Sequence, residues 1–358
     1  MTKELKMKKG VLLINLGSPE STSVKDVKKY LNEFLMDERV IDIPYWKRFL
    51  LIKGIILQTR PKKAAKAYKK IWWKEGSPLE VISKRFTKKV QKKSIVPVAL
   101  AMRYGNMSIQ KGFEELTKKG VDDILIVPLY PHFAMSSTET VTVKAEKIRK
   151  KYHPKVKTTI LPSFYNHPDY IKVMSNNIKK HLKNFEYDHL LFSYHGLPER
   201  HILKADPTNS HTKLITGKDC CSVNSVAINT CYRQQCFETT KEIAKVLNLK
   251  EGTFSNSFQS RMLKDPWLKP YTDFEFDRLV KEEGKQKLAV ITPAFVSDCL
   301  ETLEEIAIEG KKQFLENGGV NYTHIPCLND NDDWVAVMNN WIDDWLDSTA
   351  KLSAFYTF

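Results

Sequence analysis

Apolar runs and amphipathic stretches alternate along almost the whole chain. Short runs of apolar residues, typical of buried strands, occur at 10–19, 96–105, 122–131 and 157–164. A stretch with helical spacing follows each run. This alternation predicts an α/β fold in which helices cover both faces of a parallel sheet.

The same alternation begins again after residue 166. Further strand-like runs lie at 188–198, 252–260, 287–298 and 320–329, and the amphipathic stretch "DDWVAVMNNWIDDWLD" follows them. We therefore predict two similar doubly wound domains, at 8–165 and 166–331, each a parallel sheet flanked by helices. A C-terminal amphipathic helix at 332–350 is expected to pack back on the first domain.

Composition narrows the class of partner. The chain has 358 residues, of which 42% are hydrophobic, and its net charge is +15. That apolar fraction supports sizeable cores and excludes a disordered protein. The basic excess indicates anionic partners. Because the lysines are spread over many helices and no recognition motif accompanies them, we expect no nucleic-acid partner. No apolar run is long enough for a membrane span, and we interpret the protein as cytoplasmic.

Two strand ends carry candidate chemistry. One is "FSYHGLP", in which His195 follows an apolar strand. The other is "PAFVSDCLETLEEIAIEG", in which Asp298, Glu301, Glu305 and Glu309 follow at steps of 3, 4 and 4. Those steps place four carboxylates on one face of a helix, although like charges at this spacing destabilise it. An imidazole near a row of carboxylates indicates proton or cation handling.

Four cysteines fall within 17 residues, in a stretch that interrupts the second domain at 201–236. They are Cys220, Cys221, Cys231 and Cys236. In a reducing compartment such a cluster indicates a metal site rather than disulfides. Four thiolates can hold a [2Fe–2S] cluster or Zn²⁺. The spacing does not decide between the two.

Eight segments together resemble the ferrochelatase family over about residues 10–345. They are "LLINLGSP", "FLMDERVIDIP", "YKKIWWKEGSPL", "AMRYGNMSI", "PLYPHFAMSSTET", "FSYHGLPERH", "FQSRMLKDPWLKPYTD" and "PAFVSDCLETLEEIAIE". The resemblance implies a chelatase-type fold of two Rossmann-like domains with the active-site cleft between them. It also implies insertion of Fe²⁺ into protoporphyrin IX, with release of two protons, as the terminal step of haem biosynthesis.

The same resemblance assigns roles to individual residues. His195 and Glu301 would face each other as the catalytic pair that also meets the Fe²⁺ substrate. Which of them takes protons and which delivers metal stays open. Glu305 and Glu309, with Asp298, would form an acidic path for protons or metal. The implied porphyrin-pocket residues are Met36, Arg103, Tyr104, Tyr130, Trp267 and Phe295.

Residues 34–62 resemble the family's mobile lips over the pocket. Apolar side chains alternate there with Lys and Arg, which is typical of docking on an anionic membrane. We expect peripheral association with the inner membrane, and a monomer or homodimer. The apolar candidates are Phe34, Leu35, Trp46, Phe49, Leu50, Leu51, Ile55 and Ile56, and the flanking cations are Lys47, Arg48, Lys53, Arg60, Lys62 and Lys63.

Some members of the family carry a [2Fe–2S] cluster, which implies one here. Met135 occupies the place of the N-terminal cysteine of the animal enzymes, so the insert would supply all four ligands; zinc or no metal are the alternatives. Three other functions stay open: a coproporphyrin ferrochelatase, a cobalt or nickel chelatase, and a non-catalytic tetrapyrrole-binding protein. Cys299 stands where many members have histidine, which puts a metal-relay role there in doubt.

Overall fold

The structure is a computed structural model that describes residues 8–209, 221, 226–262, 265–347 and 356–357. The chain divides into two compact units. The first holds the described residues of Met1–Leu129, Ser136–Pro162 and Asp330–Phe358, and the second those of Tyr130–Met135 and Ser163–Asn329. Residues 210–220 and 222–225 of the predicted cysteine insert, including Cys220, and residues 348–350 of the predicted terminal helix lie outside the described residues.

Within the described residues, the sheet of the first unit has the strand order β2-β1-β3-β4-β9. Strands β1 to β4 are parallel, and β9 pairs with β4 in the antiparallel direction. The middle of β1, from Val11 to Ile14, is fully buried, as expected for a strand covered on both faces. The strands are β1 (Lys9–Asn15), β2 (Val98–Met102), β3 (Asp123–Pro128), β4 (Lys157–Ile160) and β9 (Tyr356–Thr357).

The helices of the first unit begin at residues that suit helix starts. The Ser23 hydroxyl accepts from the Asp26 amide at 3.1 Å before α1, and Asn331 does the same for Asp333 at 3.0 Å before α12. Trp334 of α12 stacks on the ring of Phe86 at 5.9 Å. These helices are α1 (Val24–Leu35), α2 (Tyr45–Phe49), α3 (Leu57–Ile71), α4 (Pro78–Lys93), α5 (Ile109–Lys118), α6 (Thr140–Tyr152) and α12 (Asp332–Leu346).

The described sheet of the second unit has the order β6-β5-β7-β8, and all its pairings are parallel. Its strands are β5 (His189–His195), β6 (Phe254–Gln259), β7 (Lys287–Ile291) and β8 (Asn321–Ile325). The helices are α7 (Pro168–Leu182), α8 (Glu199–Ala205), α9 (Tyr232–Leu247), α10 (Thr272–Lys281) and α11 (Lys311–Glu316). Both units therefore place their first strand between their second and third, which confirms the predicted α/β class with two doubly wound sheets.

This strand order fixes where a ligand site is expected in the second unit. The order reverses between β5 and β7, and ligands of open α/β sheets bind beyond the carboxyl ends of the strands at such a switch point. His195 is the last residue of β5, and the segment after β7 leads to the acidic helix.

The acidic helix itself differs from the prediction. An α-helix is expected over 299–315, but Glu301–Gly310 is a π-helix, and only Lys311–Glu316 is α-helical. Two other π-helices cover Leu50–Ile56 and Met135–Glu139. A π-helix bonds residue i to i+5, and such segments are frequent at functional sites. Apolar periodicity does not reveal them, because the side-chain pattern still fits an ordinary helix.

Candidate active site

His195 ends β5 with its ring held by its neighbour's backbone. Its Nδ1 lies 2.7 Å from the carbonyl oxygen of Gly196. Because a carbonyl only accepts, Nδ1 carries the proton and Nε2 is left with a free lone pair. The backbone carbonyl of His195 accepts from the Tyr232 hydroxyl at 2.9 Å. The imidazole is thus fixed in the tautomer that presents Nε2 as a base.

Two opposing effects set the protonation of His195. Burial lowers its pKa, while the negative charge of Glu301 and the bond to the Gly196 carbonyl raise it. Burial is the larger effect, so the pKa of His195 lies below the usual histidine value. The ring is therefore neutral near pH 7 and ready to take a proton.

Gln259, at the end of β6, ties the His195 turn to the acidic helix. Its backbone carbonyl accepts from the Gly196 amide at 2.7 Å, and its side-chain amide donates to the Glu301 carbonyl at 3.3 Å. Its side-chain oxygen accepts from Ser193 at 2.8 Å. The sequence interpretation missed this residue. The available sequence signal was weak, namely a polar residue at the end of a strand-like run that is itself largely polar.

Glu301, Glu305 and Glu309 lie along one π-helix with increasing exposure. Glu301 and Glu305 are half-buried, and Glu309 is exposed. The Ser260 hydroxyl donates to Glu305 Oε2. Ser260 has a φ of 66°, in the left-handed region that non-glycine residues rarely adopt. This strained residue holds the middle carboxylate of the row.

Asp298 lies outside the row that the spacing predicts. It precedes the helix, which begins after Leu300. Its carboxylate accepts from the Thr302 hydroxyl at 2.9 Å, the Asn329 amide at 2.6 Å and the Cys327 backbone amide at 3.3 Å. These bonds join the start of the helix to the segment after β8. Asp298 therefore anchors the helix end in this structure.

Two of the predicted pocket aromatics lie beside His195. The ring of Phe295 meets the imidazole edge-on, with centroids 6.2 Å apart. A Cβ on Gly196 would lie 3.3 Å from the indole of Trp267, so glycine lets this ring approach the turn. Trp267 is buried, and its Nε1 has no hydrogen-bond partner among the described residues. Tyr130 is half-buried in the same unit.

Three other predicted pocket residues lie in the first unit, around Asp37. Arg103 pairs with Asp37 Oδ2 and donates to Thr140 Oγ1 at 2.7 Å, and Tyr104 donates to Asp37 at 3.1 Å. Burial raises the pKa of Asp37, but hydrogen bonds from Thr140 and the Arg39 amide, with the charge of Arg103, outweigh it and lower the pKa. Asp37 is thus a fully bonded carboxylate.

Met36 and Arg103 also line a cavity of about 490 Å³ in this unit, whereas Tyr104 is buried. Burial raises the pKa of the Tyr104 phenol well above its usual range. Arg103 and Tyr104 are committed to the bonds around Asp37. Sequence reasoning missed Asp37 because nothing in "FLMDERV" distinguishes it from a surface acid.

The lip (residues 34–62) exposes much of its apolar surface. Trp46 is 62% exposed, Leu50 60% and Ile55 64%, and Tyr45 and Phe49 are also exposed. Leu35 and Ile56, predicted as lip surface, belong instead to the core. Arg48 is buried as well, contrary to its predicted place on the cationic flank. None of the described helices combines the length and apolarity needed to cross a bilayer.

The described cysteines of the insert lie close enough to influence one another. Burial raises the pKa of the Cys236 thiol, and the neighbouring Cys231 and Cys221 raise it further. Cys231 and Cys236 are buried at the start of α9. The described residues include no group of three or more His, Cys, Asp or Glu arranged to hold a metal ion. Cys220 lies outside them.

Cys299 is buried next to the catalytic candidates. Burial raises its pKa, and the charge of Glu301 adds to the effect, so the thiol is neutral. Its backbone amide donates to the Thr302 hydroxyl at 3.0 Å. The residue thus lies between Asp298 and Glu301 as a protonated neighbour of the carboxylate.

Comparison with known proteins places this geometry in context. A family model described as Ferrochelatase matches residues 8–345. The chain is 46% identical to a protein named ferrochelatase from Pseudomonas fluorescens (strain Pf0-1), covering 92% of this chain and 95% of that relative. It is 44% identical to one from Opitutus terrae, covering 96% and 99% respectively.

A solved structure agrees at the level of fold. SirB from Bacillus subtilis, determined with Fe³⁺, aligns with a TM-score of 0.53 and covers 97% of each chain. The sequence identity is 15%. The likeness therefore concerns the chelatase-type architecture alone.

Proposed function

The chain belongs to the ferrochelatase family, and we propose that it inserts Fe²⁺ into protoporphyrin IX, the terminal step of haem biosynthesis. The family match confirms the resemblance carried by the eight motifs. The observation that carries the catalytic assignment is the neutral His195, whose Nε2 is free, with Glu301 close enough to act on its charge. Two protons leave the macrocycle as the metal enters.

His195 acts as the base in this proposal. Nε2 takes a pyrrole proton, and the charge of Glu301 stabilises the imidazolium that forms. The lowered pKa of His195 then favours prompt transfer of that proton onward. Glu301, as the carboxylate beside the imidazole, is the hard oxygen ligand that the incoming Fe²⁺ meets.

Glu305 and Glu309 continue outward from Glu301 as the acidic route. Their increasing exposure along the helix supports a route from the half-buried pair to solvent. Asp298 contributes by fixing the start of the helix rather than by carrying a proton, since its oxygens accept three bonds. Phe295 and Trp267 form the wall of the porphyrin site next to His195.

Anaerobic turnover tests the proposal. Purified protein is mixed with protoporphyrin IX and Fe²⁺ in detergent, and the loss of free-base porphyrin fluorescence is followed. We expect wild-type turnover and a drop of about 10²–10⁴-fold in His195→Ala. The exposed His181→Ala is the matched control. Coproporphyrin in a parallel reaction addresses the main alternative, and faster turnover of it would replace protoporphyrin as the substrate.

A [2Fe–2S] cluster held by Cys220, Cys221, Cys231 and Cys236 is the second part of the proposal. The mutual influence of the thiols of Cys221, Cys231 and Cys236, and the burial of the last two, support a common ligand set. When bound, such a cluster supplies one-electron chemistry or structural cross-linking. With the cluster bound, these cysteines would link the insert to the start of α9.

Iron and acid-labile sulfide in protein purified anaerobically test the cluster, together with its visible absorption. We expect two of each per chain and their loss in Cys236→Ser. Cys327→Ser, also a buried cysteine but outside the insert, should keep them. Zinc in place of iron, with no visible absorption, would support the tetrathiolate zinc site instead.

Peripheral membrane association is the third part. The exposed Trp46, Leu50 and Ile55, with Lys47 and Lys53 beside them, form an apolar surface edged by cations. Co-sedimentation with vesicles containing phosphatidylglycerol should fall in Trp46→Ser with Leu50→Ser. Ile95→Ser, which removes an apolar side chain that is even more exposed (85%) elsewhere in the first unit, is the control. Equal losses in both variants would argue against a specific lip.

A further inference from the structure

The cavity of the first unit carries an excess of positive charge. Five basic and three acidic residues line its volume of about 490 Å³. Two of the basic residues are neutralised within the structure: Arg103 pairs with Asp37, and Arg39 pairs with Glu38 and Glu139. The third acidic residue, Glu33, is exposed and accepts from the Gly105 amide at 3.0 Å. The remaining basic residues outnumber it and decide what the cavity can bind.

Arg48, Lys144 and Lys147 are those remaining cations. Arg48 is 6% exposed; its Nη1 donates to two backbone carbonyls, at 3.0 and 3.1 Å, and its buried Nε has no partner among the described residues. Lys144 and Lys147 are exposed on α6, and no acceptor within the described part of the chain bonds either ammonium group. A buried guanidinium that forms no ion pair with any described acidic residue is costly, and an anion in the cavity would relieve that cost.

The cavity borders the lip through Arg48. This residue belongs to α2, and its guanidinium lies 5.8 Å from the centre of the Tyr45 ring. Tyr45 is 65% exposed, and Trp46 beside it is exposed as well. A second surface depression, also lined by Val143 and Lys147, extends the basic surface along α6. Cations and exposed aromatic rings thus meet at one edge of the unit.

We propose that this cavity binds the phosphate group of an anionic membrane lipid, whose acyl chains lie along the exposed lip. The inference rests on the proposed membrane association and specifies its chemistry. Arg and Lys are the usual ligands of phosphate oxygens. The volume is within the range of small-ligand sites, about 300–1,000 Å³, and suits a headgroup.

Vesicle binding with paired variants tests the site. The double variant Lys144→Gln with Lys147→Gln removes two charges from the cavity, and Lys88→Gln with Lys92→Gln removes two exposed charges from α4. At roughly 1 kcal/mol per lysine, partitioning onto phosphatidylglycerol vesicles should weaken about 30-fold in the first pair. The control pair should change it less than about threefold. Binding to pure phosphatidylcholine should be weak for all forms.

Each other outcome overturns the proposal. If both double variants lost vesicle binding equally, general surface charge would account for the binding. If the protein bound neutral vesicles equally well, apolar docking alone would account for it. Protection of the fold by inorganic phosphate, without preference for anionic vesicles, would assign the cavity to a free anion. A rise of the porphyrin KM in detergent, without loss of vesicle binding, would assign the lysines to substrate carboxylates. Wild-type turnover in detergent needs no lipid, so it tests the proposed reaction separately.

Discussion

Two carboxylates, one in each unit, differ in how far their hydrogen-bonding capacity is used: Asp37, after α1 in the first unit, is saturated with bonds, and Glu301 in the second unit is not. Asp37 accepts from Arg103, Tyr104, Thr140 and the Arg39 amide, and it stays ionised as part of the framework. Glu301 lies instead beside a buried imidazole with an unused lone pair. The Glu301 carboxylate has a hydrogen bond with Cys299, but it keeps acceptor capacity that Asp37 has used up. Fully bonded charges hold a fold in place, whereas acceptors and lone pairs with spare capacity are available for chemistry.

The largest effect should come from the second unit. Glu301→Gln removes the charge that stabilises protonated His195, so turnover should fall about 10²–10⁴-fold. The pKa of His195 should fall further, which moves the acidic limb of the pH–rate profile to lower pH, because the base stays unprotonated there. The profile of kcat/KM measures both effects. Glu304→Gln on the same helix is the control, and an equal loss there would remove the distinction.

Asp37 should matter for stability rather than for the pH profile. Asp37→Ala leaves the half-buried Arg103 without its carboxylate partner, which should cost about 3–5 kcal/mol in the free energy of unfolding. The neighbouring surface acid, in Glu38→Ala, should cost less than about 1 kcal/mol. Urea midpoints of the three proteins measure the difference. A shift of the pH–rate profile in Asp37→Ala would show that this carboxylate is more than framework.

Buried neutral histidines should make the protein sensitive to acid. Burial lowers the pKa of His132 to about 3 and that of His189 to about 4. Below pH 6.5 these histidines bind protons in the unfolded chain but stay neutral in the folded protein. The free energy of unfolding therefore decreases as the pH is lowered, until the folded pKa is reached. At pH 5 each ring should lower the free energy of unfolding by about 2 kcal/mol. His189→Gln should remove the contribution of one ring to the loss of unfolding free energy between pH 7 and pH 5.

The smallest effect should be at the outer end of the acidic row. Glu309 is exposed, and solvent can replace it as a proton acceptor. Glu309→Gln should therefore change turnover less than about threefold from that of the wild type. Glu305→Gln, at the half-buried middle of the row, should change turnover more. Steady-state rates under anaerobic conditions measure both. A larger loss at Glu309 would mean that the row collects metal from outside instead of releasing protons.

The sequence predicts the elements that depend on local pattern, and it predicts the strands best. Apolar runs located β5 and β7; His195 ends the first of these strands, and Glu301 lies in the segment that follows the second. The bonds around Asp37 join side chains far apart in the chain, and no local pattern encodes them. The place of Asp298 was predicted wrongly, because spacing continues through a helix start that only the bonds to Thr302 and Asn329 reveal.

The π-helix of residues 301–310 also bears on how the site tolerates insertions and deletions. A π-turn accommodates one residue more than an α-turn does, so deleting one residue between Glu301 and Gly310 could restore an α-helix. Because the deleted residue is the extra one of the π-turn, the helix on either side would keep its register, and only the residues within the turn would change direction. Glu301 would then leave the imidazole while the apolar face stayed packed. A change of length, unlike most substitutions, would therefore abolish the arrangement of the site while the protein still folds.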